Sequence, residues 1–277
     1  MSGRGVVRRA LLAAATAAAI SSVAYRRRAL TGDGALAAVG VGTVVFARGG
    51  LPAATALNVF FVTATALSRV GARRKAAGGT IAQAKGARRD AWQVLANGGV
   101  AAAGLALDGR VGNGAFLGAL AAAAADTWAT EIGLLSKTGP RLITTLQPVA
   151  PGTSGGVTPL GLLATAAGGT VVGASWSLAR GAFLGARAVP VALAAGVAGS
   201  LVDSLLGATV QAVYWCPQCQ GPTETSVHRA CGTTATLRGG LRWMTNDTVN
   251  ALATVCGAML GALLWGASAG DGDARLL

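Results

Sequence analysis

The chain has 277 residues, 52% of them hydrophobic and only 12% charged, with a formal net charge of +13. Soluble domains carry about 25% charged residues, so this balance, with a mean hydropathy of +0.54, excludes an ordinary soluble domain and points to an integral membrane protein. The basic residues cluster in loops between apolar segments, which the positive-inside rule explains, and nucleic acid is excluded as the expected partner.

Apolar segments run from Val6 to Ala24, Gly34 to Ala47, Leu51 to Leu67, Ala91 to Leu107, Gly112 to Ala125, Pro159 to Ala179, Pro190 to Tyr214 and Thr248 to Ser268. The expected fold is all-α: a polytopic helical membrane bundle of about seven or eight transmembrane helices, some shorter than the usual ~20 residues and some broken. It forms a single domain over residues 1–277, with a Cys/His loop, 216–245, inserted on the cytosolic side. Ala-rich segments and 42 glycines suit close helix approach. The first segment reads as a retained helix, although an acid-free start rich in Arg, Ala and Ser also has the composition of a targeting segment.

Orientation follows from Lys and Arg. The stretch with Arg69, Arg73, Arg74, Lys75, Lys85, Arg88 and Arg89 is expected on the cytosolic side, of a prokaryotic plasma membrane or the equivalent side of an organelle. Counting forward puts the Asp108 turn outside, Asp126 to Gly156 inside, Arg180 and Arg187 outside, and Cys216 to Asp247 inside. Counting backward leaves Arg4, Arg8 and Arg9 outside, against the rule. The acids of the apolar regions thus gather at one membrane face.

Those acids are the main functional signal, because a carboxylate beside a membrane-length apolar run is costly unless it lines a wet or protein-filled cavity. Asp126 follows five alanines, and Glu131 stands five residues further on, rotated from it around the helix. If helix continues, both can approach one ion, and hard oxygen ligands suit Mg²⁺ with substrate phosphates. Asp203 lies midway along an apolar segment, in a row with Gly199, Gly207 and Gln211 at four-residue spacing, beside Ser204. Asn246, Asp247 and Asn250 form a third polar group, in which Asp247 is equally suited to capping the last helix. Gln93 and Asn97 share a helix face.

Pro151-Gly152-Thr153-Ser154-Gly155-Gly156 precedes an apolar segment. Glycines permit backbone N–H groups to converge on an anion, with Thr153 and Ser154 as further donors and Lys137 and Arg141 upstream to neutralise phosphate charge. The spacing of Cys216, Cys219, His228 and Cys231 satisfies tetrahedral Zn²⁺, structural because four protein ligands leave no open position. A reduced loop with incidental cysteines fits the same residues.

The strings from Gln93 to Gly99, Ala125 to Gly133, Pro151 to Gly156, Gly199 to Gln211 and Asn246 to Asn250, in this order, resemble the transmembrane protein 19 family, also called domain-of-unknown-function 92. The Cys/His loop is similar to one found in many members. The resemblance covers about residues 10 to 268 and includes a plant plastid phytyl-phosphate kinase. It implies phosphoryl transfer from a nucleoside triphosphate, CTP or ATP, to a prenyl monophosphate held in membrane lipid. Asp126, Glu131, Asp203 and Asp247 would then be catalytic, with Asp126, Asp203 and Asp247 holding Mg²⁺. Asn97, Lys137, Gly152, Thr153, Ser154, Gly155, Ser204, Gln211, Asn246 and Asn250 would bind substrate or phosphate. An ion-coupled transporter would use the same acids along a pathway open to both faces. An assembly protein would leave them merely hydrogen-bonded.

Overall fold

Apolar segments of Ala, Gly, Val and Leu satisfy their backbone only as helix when lipid is the solvent. In the computed structural model, which describes residues 3–71, 88–107, 109–181, 187–228 and 230–267, each of the eight segments is helical. They are α1 (Gly3–Arg26), α2 (Gly32–Val44), α3 (Gly50–Arg69), α4 (residues 91–104), α5 (Gly109–Gly133), α6 (Pro159–Ala179), α7 (Ala188–Thr209) and α8 (Asn246–Ala267). Five stretches are long and apolar enough to cross a membrane by length and composition: Gly5–Arg26, Gly32–Arg69, Pro159–Ala179, Ala188–Thr209 and Asn246–Ala267. The basic stretch from Arg73 to Lys85, and Asp108, lie outside the described residues.

The 38 residues Gly32–Arg69 are two spans rather than one. A π-helical turn, Val45–Gly49, ends at Gly50, whose φ of 63° and ψ of −156° are open in practice only to glycine. The chain reverses there. As a result the Arg69 guanidinium donates to the Arg27 carbonyl (2.9 Å), and Arg89 joins Thr31 to Thr65. Both ends of the hairpin therefore lie at one end of the bundle. The Arg9 side chain lies beside Gly50 at the other end, as the backward charge count expects.

The helices that set out from the first end carry polar N-caps. Thr31 caps α2, Asp90 and Gln93 form a capping box on α4, and Thr158 caps α6. Thr245 accepts from the Thr248 N–H at the start of α8, so the capping role considered for Asp247 falls to Thr245. Side chains that can replace water thus close four helix starts at a single face of the bundle.

Helix α5 is the axis. Every residue from Gly114 to Ala125 is buried, and α6, α7, α8, α3 and α4 pack around it. In lipid there is no hydrophobic drive between helices, so association depends on contact distance. Gly114 and Gly118 of α5 meet Gly257 and Gly261 of α8, two facing G-x-x-x-G pairs. A Cβ on Gly118 would stand 2.1 Å from the Gly257 carbonyl oxygen. Beside this crossing Phe116 packs tilted against Trp176, which meets Trp265 edge-to-face, with Arg187 over the Trp265 ring.

Among the described residues, strands appear only in the connections. β1 (Arg141–Leu142) pairs antiparallel with β2 (Gly156–Val157) between α5 and α6. β3 (Val213–Cys216), β4 (Gly221–Thr223) and β5 (Thr236–Gly239) form a three-stranded antiparallel sheet, β4-β3-β5, between α7 and α8. The expectation of an apolar span reaching Tyr214 is corrected here: α7 ends at Thr209. Val213, Tyr214 and Trp215 are β-branched or aromatic, and they leave the helix to become a strand.

Candidate functional site

At the capped end the helices splay and enclose a cavity of about 830 Å³. Its wall takes Asp126 and Glu131 from α5, Asp203 and Ser204 from α7, Asn97 from α4, and Asn246 and Asn250 from α8. The loops add Lys137, Gln211 and the whole 151–156 segment. Arg141 apart, only Asp247 among the residues singled out in the sequence for catalysis or phosphate is absent from the wall. It follows Asn246 by one helical step, about 100° around the axis, whereas Asn250 returns to the same face.

The two carboxylates of α5 have different partners. The Ser68 hydroxyl donates to Glu131 Oε1 at 2.6 Å, and Arg89 faces Glu131 electrostatically. Arg89 is fixed at its backbone by the Ala29–Thr31 segment and at its guanidinium by the Thr65 hydroxyl, 3.0 Å away. Asp126 turns the other way, accepting from Ser200, and its charge reaches Asp203. Asp203 also faces Glu224, and its Oδ2 is buried with no hydrogen-bond partner.

Asn97 lies within a second π-helical turn, Leu95–Gly99, a distortion that frequently marks functional positions. The widened turn exposes the Ala96 carbonyl, which accepts from the Thr254 hydroxyl of α8 at 3.0 Å. The Gln93 Oε1 accepts from the Asp90 N–H, so this amide both lines the cavity and closes a helix end.

The 151–156 loop is pressed onto α7. Gly155 has φ +76°, and a Cβ there would lie 2.5 Å from that of Ala208. The Ser154 hydroxyl donates to Glu224 Oε1 at 3.0 Å. Gln211 Nε2 donates to both, at 2.9 Å to Ser154 Oγ and 3.0 Å to Glu224 Oε1. Arg141, expected to face phosphate, instead donates to the Leu146 carbonyl at 2.8 Å and stays outside the wall. Its job is to close the turn that supports the loop.

Among the wall residues that escaped the sequence reading are Arg89, Ser68 and Glu224. Arg89 was indistinguishable from the neighbouring topological charges. Ser68 was hidden at the end of an apolar segment. Glu224, the one acid between Asp203 and Asp247, lies in a polar insertion where an acid carries no cost that would mark it.

Beside the cavity, the Cys/His insertion brings four donor atoms within 4.8 Å of one another. Cys216 Sγ lies 3.5 Å from Cys231 Sγ, which lies 3.3 Å from His228 Nδ1. A disulfide needs sulfurs about 2.05 Å apart, so Cys216 and Cys231 are not bonded to each other. A zinc tetrahedron with arms of about 2.3 Å has edges near 3.8 Å, so the donor set fits that ion. The hydroxyl and N–H of Thr233 pull the Cys231 thiol down to about 6, and its hydrogen bond to Cys231 pushes Cys219 up to about 11.

Fold and cavity together define a polytopic helical membrane protein with one polar site at one end of its bundle. The family described as integral membrane protein DUF92 matches residues 15–258, and the chain belongs to that family. It is 35% identical to Protein PGR of Arabidopsis thaliana over 236 residues, 75% of this chain and 81% of that protein. It is 31% identical to the uncharacterized membrane protein MJ0933 of Methanocaldococcus jannaschii over 245 residues, 87% of each chain. No solved structure matches it.

Proposed function

We propose that this protein is a membrane-embedded kinase that transfers the γ-phosphoryl group of a nucleoside triphosphate, CTP or ATP, to a prenyl monophosphate. A phosphate oxygen of the prenyl monophosphate attacks the γ-phosphorus as the bond to the β,γ-bridging oxygen breaks. A prenyl diphosphate and a nucleoside diphosphate result. The attacking phosphate is already ionised at neutral pH, so the step needs positioning and charge neutralisation rather than a strong base.

The observation that carries this reading is the cavity's composition. Four carboxylates, Asp126, Glu131, Asp203 and Glu224, face two cationic side chains, Arg89 and Lys137, next to a glycine-rich loop. The N-termini of α4, α6 and α8 also face it, and their dipoles favour anions. A volume of about 830 Å³ lies in the upper part of the ~300–1,000 Å³ range of small-molecule pockets. Phosphates beside so many carboxylates would be repelled without a divalent cation, and the unpartnered Asp203 Oδ2 fits one. Mg²⁺ held by Asp126 and Asp203 would supply charge neutralisation of the phosphates. Arg89, Lys137 and the Gly152–Gly155 backbone would orient the anions, while Asn97, Ser204, Asn246 and Asn250 supply polar contacts along the wall. Asp247 is assigned a supporting place in the first turn of α8. Zinc at Cys216, Cys219, His228 and Cys231 would be structural. The acids would face the cytosol or its organelle equivalent, where nucleotide is found.

A transporter needs access from both faces. Below Asp126 the axis is the buried run Ala121–Ala125, and then the glycine crossing with α8, which favours an enzyme. The test is transfer of labelled γ-phosphate from CTP or ATP to phytyl phosphate by purified protein in lipid with Mg²⁺. Labelled diphosphate that disappears in Asp203→Asn is the expected result. No product from phytyl, geranylgeranyl or other prenyl phosphates overturns the kinase.

A further inference from the structure

We propose that Glu224, delivered from the Cys/His insertion, is the third carboxylate of a divalent-cation site with Asp126 and Asp203. Ser154 and Gln211 are its positioning residues. The identity of the reaction rests on the kinase reading; the cation site itself rests on the shared cavity wall, the hydrogen bonds that hold Glu224 and the unpartnered Asp203 oxygen.

Three elements far apart in sequence each contribute a carboxylate to the same cavity wall. Asp126 comes from the axial helix, Asp203 from α7, and Glu224 from the residue after β4. Asp203 feels both of the other charges. Carboxylates gathered in a partly desolvated wall repel one another strongly and persist as a group only where a cation or shared proton offsets the charge. Asp203 Oδ2, buried and without a partner, is the atom whose bonding remains unexplained by the protein. A hard divalent ion binds oxygen and tolerates several carboxylates at one position. Asp126 is meanwhile steadied by Ser200.

Glu224 is held as an acceptor. Ser154 Oγ and Gln211 Nε2 both donate to Oε1, at 3.0 Å each, and Gln211 also donates to Ser154. Such a closed triangle fixes the carboxylate's direction and joins three segments, the 151–156 loop, the end of α7 and the insertion. Outer partners of this kind orient metal ligands and influence affinity about 10- to 100-fold. Ser154 therefore serves the acid first, rather than acting as a free phosphate donor. The β3–β4 hairpin that presents Glu224 also carries Cys216 and Cys219. The thiolate cluster thus anchors the strand pair from which a cavity carboxylate projects.

The experiment is a Mn²⁺ titration, read by electron paramagnetic resonance, on nucleotide-free protein in lipid nanodiscs. Wild type should bind Mn²⁺, and Glu224→Gln and Asp203→Asn should each weaken binding at least about tenfold. Zinc content and thermal midpoint in Glu224→Gln should match wild type. Glu224→Asp, which keeps the charge but shortens its reach, should fall between. Wild-type affinity in Glu224→Gln, or no Mn²⁺ bound by wild type, overturns the proposal. If Glu224→Gln does not fold, Glu224→Asp decides: weakened binding supports the site and unchanged binding overturns it. Phosphoryl transfer by wild type with full Mn²⁺ affinity in Glu224→Gln would remove Glu224 and spare the kinase. Mn²⁺ bound through these carboxylates with no transfer to any prenyl phosphate would do the reverse.

Discussion

The two halves of α5 behave oppositely: Gly114 to Ala125 is small or apolar throughout, whereas Asp126 to Gly133 carries two acids and two threonines. Around Gly114 and Gly118 the backbone touches α8 with no side chain between them. From Asp126 onward the same helix borders a cavity of about 830 Å³. The difference lies in what fills the gap. At the far end two glycine pairs bring helices together, and at the near end capped helix starts and two β-containing connections hold them apart. One helix can thus serve as packing surface along one half and as cavity wall along the other.

The strongest way to test that contrast is to disturb each half separately. Asp126→Asn should lower phosphoryl transfer by about 100-fold or more, in the range of lost transition-state electrostatics, while folded yield by size-exclusion chromatography stays unchanged. Gly118→Leu should do the opposite, because its side chain must displace the Gly257 carbonyl. A loss of about 3 kcal/mol, roughly 10 °C in thermal midpoint in detergent, is expected of such overpacking. Equal stability in Gly118→Leu would break the comparison.

Finer changes sharpen it. Cys216→Ser should abolish bound zinc, measured by elemental analysis, and open residues 213–239 to protease. Activity should then fall roughly tenfold as the Ser154–Gln211–Glu224 triangle loosens. Arg89→Ala should raise the KM for nucleotide about tenfold, the scale of one charged hydrogen bond. Arg141→Ala, which lies outside the wall, should change that KM by less than about twofold. An equal effect of the two arginines would return Arg89 to a purely topological role.

The spans were legible because lipid leaves so few options. Eight apolar segments gave eight helices, and errors fell at ends such as Thr209, where β-branched and aromatic residues are as apolar as the helix they follow. Intramembrane acids were legible too, since Asp126 and Asp203 stand out against alanine and leucine. The amide spacing of Asn97 and the pairing of Asn246 with Asn250 located cavity residues by helical period alone. Period fails where there is no helix. Glu224 sits in a polar insertion in which an acid costs nothing to expose, so only its place in space reveals its proximity to Asp203. Arg89 was masked by the rule that explained its neighbours. Asp247 shows the reverse error: adjacency to Asn246 in sequence put it one helical step away from the cavity.

The pairing of α5 with α8 has a consequence for how the molecule is made. The chain emerges in order, so Gly114 and Gly118 enter the bilayer long before Gly257 and Gly261 are synthesised. Until the last helix arrives, the axial helix exposes its glycine face to lipid, and Asn246 and Asn250 are missing from the wall. Membrane insertion of the final span is therefore the step that closes the bundle. A ribosome-bound or truncated chain lacking it should remain inactive and be open to the membrane's quality-control proteases.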